Sequence, residues 1–260
     1  MPRVALHRLL WAGFREIFAG LDGARLEERD GYALSICPQL PLPQLCGVWV
    51  EDDSAAPALE AAVVEIEAAG VPCWVTTREG RTPFADEEAR RLGFSEAEAF
   101  PGMTLGRGTL LEPAEGRLEI ARAESAGELA AASGVCAAGF EVPVELLAPF
   151  YVPDVALRAG FVVYVGRRNA EPVTTATSWT ADGAVGVFNV GTPPEHRGCG
   201  YAAEVTARAV RDGLASGAEL AWLQSSPRAR PMYERLGFET VERHVVHSRP
   251  PAQEDAAGEP

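Results

Sequence analysis

Val187-Phe188-Asn189-Val190-Gly191-Thr192-Pro193-Pro194-Glu195-His196-Arg197-Gly198-Cys199-Gly200-Tyr201-Ala202 reads as an apolar strand, a proline-stiffened turn, and a glycine loop that opens an amphipathic helix. That order predicts an anion cradle. Gly198 and Gly200 let backbone N–H groups approach a ligand closely, and the helix start behind them adds unpaired donors and a partial positive charge. The loop alone leaves several guests open. A dinucleotide fingerprint wants a third glycine, where Ala203 stands, and an acidic residue about 20 positions further on, a distance that Glu219 roughly meets. No second βαβ unit follows. A Walker loop needs Gly-Lys-Ser/Thr, and the chain contains no lysine, so ATP and GTP chemistry of that kind is set aside.

The helix is expected over 202–216 and is followed by the apolar run Leu220-Ala221-Trp222-Leu223. Then comes Gln224-Ser225-Ser226-Pro227-Arg228-Ala229-Arg230-Pro231-Met232-Tyr233-Glu234-Arg235-Leu236-Gly237-Phe238. Arg197-Gly198-Cys199-Gly200-Tyr201-Ala202 resembles the Gln/Arg-x-x-Gly-x-Gly/Ala acyl-CoA loop of the GNAT superfamily of N-acyltransferases. The run from Ala229 to Phe238 resembles its second motif, an alanine-bearing helix with a tyrosine before Gly-Phe.

The resemblance implies acetyl-CoA as acyl donor, with its pyrophosphate on the amides of Gly198, Cys199, Gly200, Tyr201 and Ala202. Arg197 would add charge or brace the loop. Val190, Gly191 and Thr192 fall where the family splays a strand to meet the acyl carbonyl and pantetheine amides, and Pro193 and Pro194 suit a strand that leaves its ladder. The family's tyrosine falls on Tyr233, as proton donor to the departing thiolate. Cys199 occupies a variable motif position and reads as a packed or solvent-facing thiol; His196 reads as an exposed turn histidine.

Composition bounds the rest. The chain has 260 residues, 47% of them hydrophobic, and a formal net charge of −14, enough for one large core or two modest ones. The acidic balance argues against nucleic acid or an anionic membrane as a partner. Five cysteines form no Cys-x-x-Cys pair, so neither a zinc site nor a disulfide framework is readable. The first helix carries Leu6, Leu9, Leu10, Phe14, Ile17 and Phe18 on one stripe, interrupted by His7, Arg8, Arg15 and Glu16. It is expected to be neither a signal segment nor a membrane span, and the chain to be a reduced, cytoplasmic protein.

The C-terminal unit lays out as a strand at 118–122, helices at 125–139 and 143–150, and strands at 160–166, 172–180 and 184–190. Asp182-Gly183 makes a hairpin turn. The loop helix, the strand near Trp222, the Tyr233 helix and two last strands within 239–248 complete the family order. The tail, 250–260, is rich in Pro, Ala and acid and is expected to be disordered.

Residues 1–106 read as a second, degenerate copy, joined by a linker at 107–117 to a catalytic unit at 118–249. A helix at 57–70, the strand Cys73-Trp74-Val75-Thr76 and a helix ending Arg91-Leu92-Gly93-Phe94 repeat the order of glycine, Trp strand, helix and Leu-Gly-Phe. Where the C-terminal unit has its glycine loop, this half has Glu51-Asp52-Asp53, which would repel a pyrophosphate or cap the following helix. The expected fold is therefore α/β (α+β): a mixed, mostly antiparallel twisted sheet flanked by helices, in two tandem GNAT-like halves. The chain is expected to be a monomer with an internal pseudo-dimer or a homodimer.

An alkylamine acceptor, small molecule or peptide, must lose a proton before attack. Glu141, between the first two helices of the catalytic unit, is the candidate base. Phe140, Tyr151 and Trp179 are read either as pocket walls or as core. The favoured activity is N-acetyl transfer by direct attack on the thioester; the alternative is a non-catalytic acyl-CoA-binding regulatory or assembly module.

Overall fold

The structure, a computed structural model, describes residues 5–43, 45–113 and 117–249. The tail at 250–260 and part of the expected linker lie outside the described residues.

The N-terminal half runs α1 (Leu6–Phe18), β1 (Arg25–Arg29), β2 (Tyr32–Ile36), β3 (Gly47–Val50), a 3₁₀ turn (Asp53–Ala58) leading into α2 (Leu59–Ala68), β4 (Trp74–Arg78), α3 (Pro83–Arg91) and β5 (Ser95–Gly106). The C-terminal half runs β6 (Glu119–Arg122), α4 (Ala126–Phe140), two short helices α5 (Val144–Leu147) and α6 (Pro153–Ala156), β7 (Phe161–Arg168), β8 (Glu171–Ala181), β9 (Ala184–Gly191), α7 (Tyr201–Ala215), β10 (Leu220–Gln224), α8 (Arg230–Arg235) and β11 (Glu239–Ser248). The expected helix at 143–150 is split: after α5 the chain tightens into a 3₁₀ turn at Ala148–Tyr151, because Pro149 has no N–H with which to continue an α-helix.

All eleven strands join one sheet, in the order β1-β2-β3-β4-β11-β5-β10-β9-β8-β7-β6. Two neighbouring pairs are parallel, β3 with β4 and β9 with β10. Each needs a crossover, which α2 and α7 supply. The order is nearly symmetric about the central β11–β5 pair: β4, β3 and β2 on one side answer β10, β9 and β8 on the other.

The two halves exchange their last strands. β11 lies against β4 of the N-terminal half, and β5 lies between β11 and β10. This corrects the expectation of two closing strands within 239–248. One strand is present there, and β5 fills the other place because its two edges reach different partners: Gly102–Gly106 hydrogen-bonds to β10 and Ser95–Thr104 to β11.

The core follows the exchange. A first cluster joins Leu6, Leu10 and Trp11 of α1 and Val48 and Trp49 of β3 to Trp179 and Trp222 of the other half, so α1 seals the face across both units. A second cluster packs Met103 and Leu105 of β5 with Val187, Leu223, Val205 and Tyr233. A third lies under α4 to α6. Among the described residues no single helix is long and apolar enough to cross a membrane.

Candidate active site

The site begins where β9 parts from β10. The two strands pair only at Ala184, Val185 and Gly186, opposite Leu220, Ala221 and Trp222, although both continue. On its other edge β9 follows β8 to Gly191, with a register shift: Thr177 faces Phe188 and Thr175 faces Gly191. Asn189 and Val190 thus stand opposite the single residue Ala176. This is a β-bulge, and Asn189 takes a left-handed conformation with φ of 52°. Bulge and splay together turn the end of β9 away from the sheet and open a gap between β9 and β10.

The turned end is pinned from three sides. Thr174 Oγ1 donates to the Gly191 carbonyl at 3.0 Å and lies 2.8 Å from Thr192 Oγ1. Helix α4 presses on the strand so closely that a Cβ on Gly191 would stand 2.8 Å from Cys136 Cα. Arg197 then staples helix to strand: Nε donates to the Thr192 carbonyl at 3.2 Å, Nη2 to the Gly139 carbonyl at 2.8 Å, and Nη1 lies 2.7 Å from Glu141. Of the two roles offered for Arg197, the geometry shows the brace.

After a 3₁₀ turn at Pro194–His196, Gly198 and Gly200 both take left-handed φ, 76° and 84°, and Gly200 is the N-cap of α7 with no side-chain cap. By contrast α4 opens on a full capping box of Ser125 and Glu128, whereas α1, α2 and α8, like α7, start without an N-cap side-chain bond. At α7 the N–H groups of Tyr201, Ala202 and Ala203 are left for a guest, with the helix dipole behind them. Replacing Gly200 by valine forces a β-branched residue into left-handed φ, at a cost of about 1–3 kcal/mol. Acetyl-CoA affinity is expected to fall about 10- to 100-fold, as read by calorimetric titration.

Arg117 is a neighbour that the motifs did not reveal. Its Nη1 donates to the Cys199 carbonyl at 2.7 Å, and the backbone of Arg117 and Leu118 lies against the carboxylate of Glu204 in the first turn of α7. Burial pushes the Glu204 pKa up. The end of the linker is therefore tied onto the loop. His196 sits 3.8 Å from Glu171, and Cys199 Sγ faces the Arg197 carbonyl.

Tyr233 lies in α8 and is buried, at 6% exposure, in the cluster that contains Val187, Leu223 and Val205 and against which Val190 also packs. Its ring meets Phe238 edge-on at 5.9 Å. Burial pushes the phenol pKa up, which keeps it protonated at neutral pH and makes it a weaker acid than a solvated tyrosine. Glu141 ends α4 in a left-handed conformation, is largely exposed, and has its carboxylate on Arg197. Tyr151 and Trp179 are core residues, whereas Phe140 is half-exposed beside Glu141.

At the end of β3 the run Glu51-Asp52-Asp53 bonds within its own half. The N–H groups of Glu51 and Asp52 donate to the Gly31 carbonyl at 2.7 and 3.2 Å. Asp52 Oδ1 accepts from Ser54 N–H, and Asp53 Oδ1 accepts from Phe84 and Ala85, capping α3. Where β3 leaves β4, the Arg78 guanidinium reaches the Glu51 carbonyl at 2.9 Å.

Residues 174–241 match the family model described as acetyltransferase (GNAT) domain. This stretch is similar to a GNAT domain. The matched segment holds the bulged strand, the glycine loop, α7 and Tyr233; Glu141 and Arg117 fall outside it. No curated protein matches the chain. Among solved structures, a GCN5-related N-acetyltransferase from Kribbella flavida is similar in fold, with a TM-score of 0.74 at 23% identity, covering 96% of this chain and 97% of that one. One from Sphaerobacter thermophilus has a TM-score of 0.64 at 14% identity over 88% and 84% of the two chains. A tandem GNAT protein from the clavulanic acid biosynthesis pathway has a TM-score of 0.61 at 12% identity over 89% and 86%.

Proposed function

We propose that the protein is an N-acetyltransferase that moves an acetyl group from acetyl-CoA to an amine by direct attack. The observation that carries this reading is the uncapped N-terminus of α7 behind two left-handed glycines, at the end of a strand that a bulge has turned out of the sheet. The amides of Gly198 to Ala202 would hold the pyrophosphate. Val190, in the bulge where the ladder is interrupted, would meet the acyl and pantetheine amides together with Gly191 and Thr192. As the amine nitrogen bonds to the carbonyl carbon and the carbon–sulfur bond breaks, Tyr233 would give its proton to the sulfur.

The N-terminal half is proposed to be a degenerate copy that binds no acyl-CoA. The near-symmetric strand order supports this, as do the internal hydrogen bonds that use the donors of Glu51, Asp52 and Ser54. The exchanged strands support an internal pseudo-dimer, and we propose a monomer. Free cysteines, of which Cys37, Cys46 and Cys136 are buried, support a reduced, cytoplasmic setting, and the net charge of −14 supports an acceptor other than nucleic acid.

Tyr233→Phe should lower turnover about 10- to 1,000-fold with little change in acetyl-CoA affinity. Thiolate release under saturating amine checks this, and unchanged turnover would remove Tyr233 from the mechanism. The ion pair of Glu141 with Arg197 occupies the candidate base, which favours the second reading, a non-catalytic acyl-CoA-binding module. Acetyl-CoA binding without acetylation of any amine, peptide or amino-sugar would decide for that second reading.

A further inference from the structure

We propose that Gln224, held by a buried chain of polar side chains reaching across from the N-terminal half, positions the acceptor amine in the gap between β9 and β10. The inference rests on the N-acetyltransferase reading above.

Gln224 is the last residue of β10. It stands two positions beyond Trp222, the last residue that pairs with β9, so its flank toward β9 faces the gap. Its other flank pairs with Gly102 of β5. Directly paired residues share a face of the sheet, and here the partner has no side chain. A Cβ on Gly102 would run into Leu6 Cδ2 of α1 and lie 3.3 Å from Glu242 Cγ and 3.5 Å from His244 Cε1. Past this glycine, under Leu6, Gln224 Nε2 reaches His244 Nδ1 at 3.0 Å.

His244 is fully buried, edge-on to Trp49 at 5.5 Å, with Nε2 3.3 Å from Glu242 Oε1. That second contact is close but poorly aligned, and both atoms lack a directed hydrogen bond among the described residues. The other carboxylate oxygen of Glu242 accepts from Arg78 Nε at 3.0 Å and Nη2 at 2.7 Å. The chain Arg78–Glu242–His244–Gln224 thus starts on β4, passes through β11 and ends at the gap.

This chain fixes which way the Gln224 amide points. The Glu242 carboxylate beside Nε2 favours the ring proton there, which leaves His244 Nδ1 as the acceptor that the Gln224 amide nitrogen meets. With its nitrogen held by the imidazole, the amide presents Oε1 away from His244 as an acceptor. The group it fits is an N–H donor, which a primary amine supplies. A hydrogen bond at that point would aim the nitrogen lone pair at the carbonyl carbon, a role of orientation rather than proton transfer.

The test uses the full chain, acetyl-CoA and a panel of tyramine, spermidine, glucosamine and a peptide N-terminus, with kinetics on the amine turned over fastest. Gln224→Met keeps length and apolar volume and removes the acceptor; Gln224→Ala is the second variant. Both should raise KM for the amine at least about tenfold while KM for acetyl-CoA stays within about twofold. An unchanged amine KM in a folded variant, or an equal rise for both substrates, overturns the positioning role. A wild-type chain that binds acetyl-CoA and acetylates none of the panel would overturn the N-acetyltransferase reading instead, and the inference with it.

Discussion

Arg78→Met should destabilise the fold by about 3–5 kcal/mol, the usual cost of leaving one member of a buried ion pair alone. Arg78 and Glu242 have side chains only 12% and 6% exposed, so water cannot take over for the lost partner. The pair also ties β4 to β11, and with it one half of the molecule to the other. The double variant Arg78→Met/Glu242→Met should recover most of the loss, because the two desolvated charges are then both gone. Urea denaturation of the four proteins at pH 7 measures the cycle. Equal losses in the single and double variants would show that packing, not charge, holds this point.

Acid should undo the wild-type fold in two stages. His7 and His247 are both buried, and burial lowers their pKa values from 6.5; the nearby charge of Arg78 lowers His7 further. A depressed histidine favours the neutral form when folded, so its contribution is complete above pH 6.5 and declines as pH falls toward the folded value. Glu242 follows lower down. Burial alone would raise its pKa, but the close contact and charge of His244 and the hydrogen bonds and charge of Arg78 outweigh burial and hold it at about 2. Its contribution is therefore complete above about 4.5 and lost as pH falls through about 2. In Arg78→Met the lower stage should move to higher pH, since one cause of the depression is gone. An acid limb at the same pH in both proteins would contradict the assignment to Glu242.

The parts of the site that could be read from the sequence are those set by local chemistry. Gly198 and Gly200 announce left-handed backbone, the two prolines announce a strand leaving its ladder, and the Tyr233 helix follows at a fixed spacing. What stayed hidden depends on pairing between distant segments. No strand is expected at 95–106 from the sequence, and nothing within Ser95–Gly106 says that both edges of β5 will be taken by strands beyond residue 219. The bond between Arg78 and Glu242 spans 164 positions, and neither residue stands out where it occurs. Asn189 lies within an apolar strand in the sequence, and the bulge that gives it positive φ is a mismatch of lengths between β8 and β9, visible only once they are in register. Glu141 reads as a residue between two helices and Arg197 as a loop residue, and only folding brings them to 2.7 Å.

The close contact between α4 and the end of β9 makes Gly139→Ala and Gly134→Ala move stability in opposite directions, although both glycines lie in one helix. On propensity alone each change should gain up to about 1 kcal/mol, since alanine is the better helix former. At Gly134 no atom lies within 4 Å of the added Cβ, so the gain should stand. At Gly139 the Cβ would meet Thr192 N at 2.5 Å and Gly191 Cα at 2.8 Å. These are backbone atoms, pinned by Thr174 and Arg197, and cannot turn aside as a flexible side chain would. Overpacking of this kind costs about 1–3 kcal/mol and at times more, so the clash should win and leave Gly139→Ala less stable than wild type by about 1–2 kcal/mol. Moving Thr192 also moves the carbonyl that holds Arg197, and the loop leading to Gly198 goes with it. Gly139→Ala should therefore weaken acetyl-CoA binding as well as folding, whereas Gly134→Ala should leave binding unchanged. Denaturant midpoints and calorimetric titration of the two variants side by side separate the effects; equal stability in both would mean that helix and strand can part at this contact without cost.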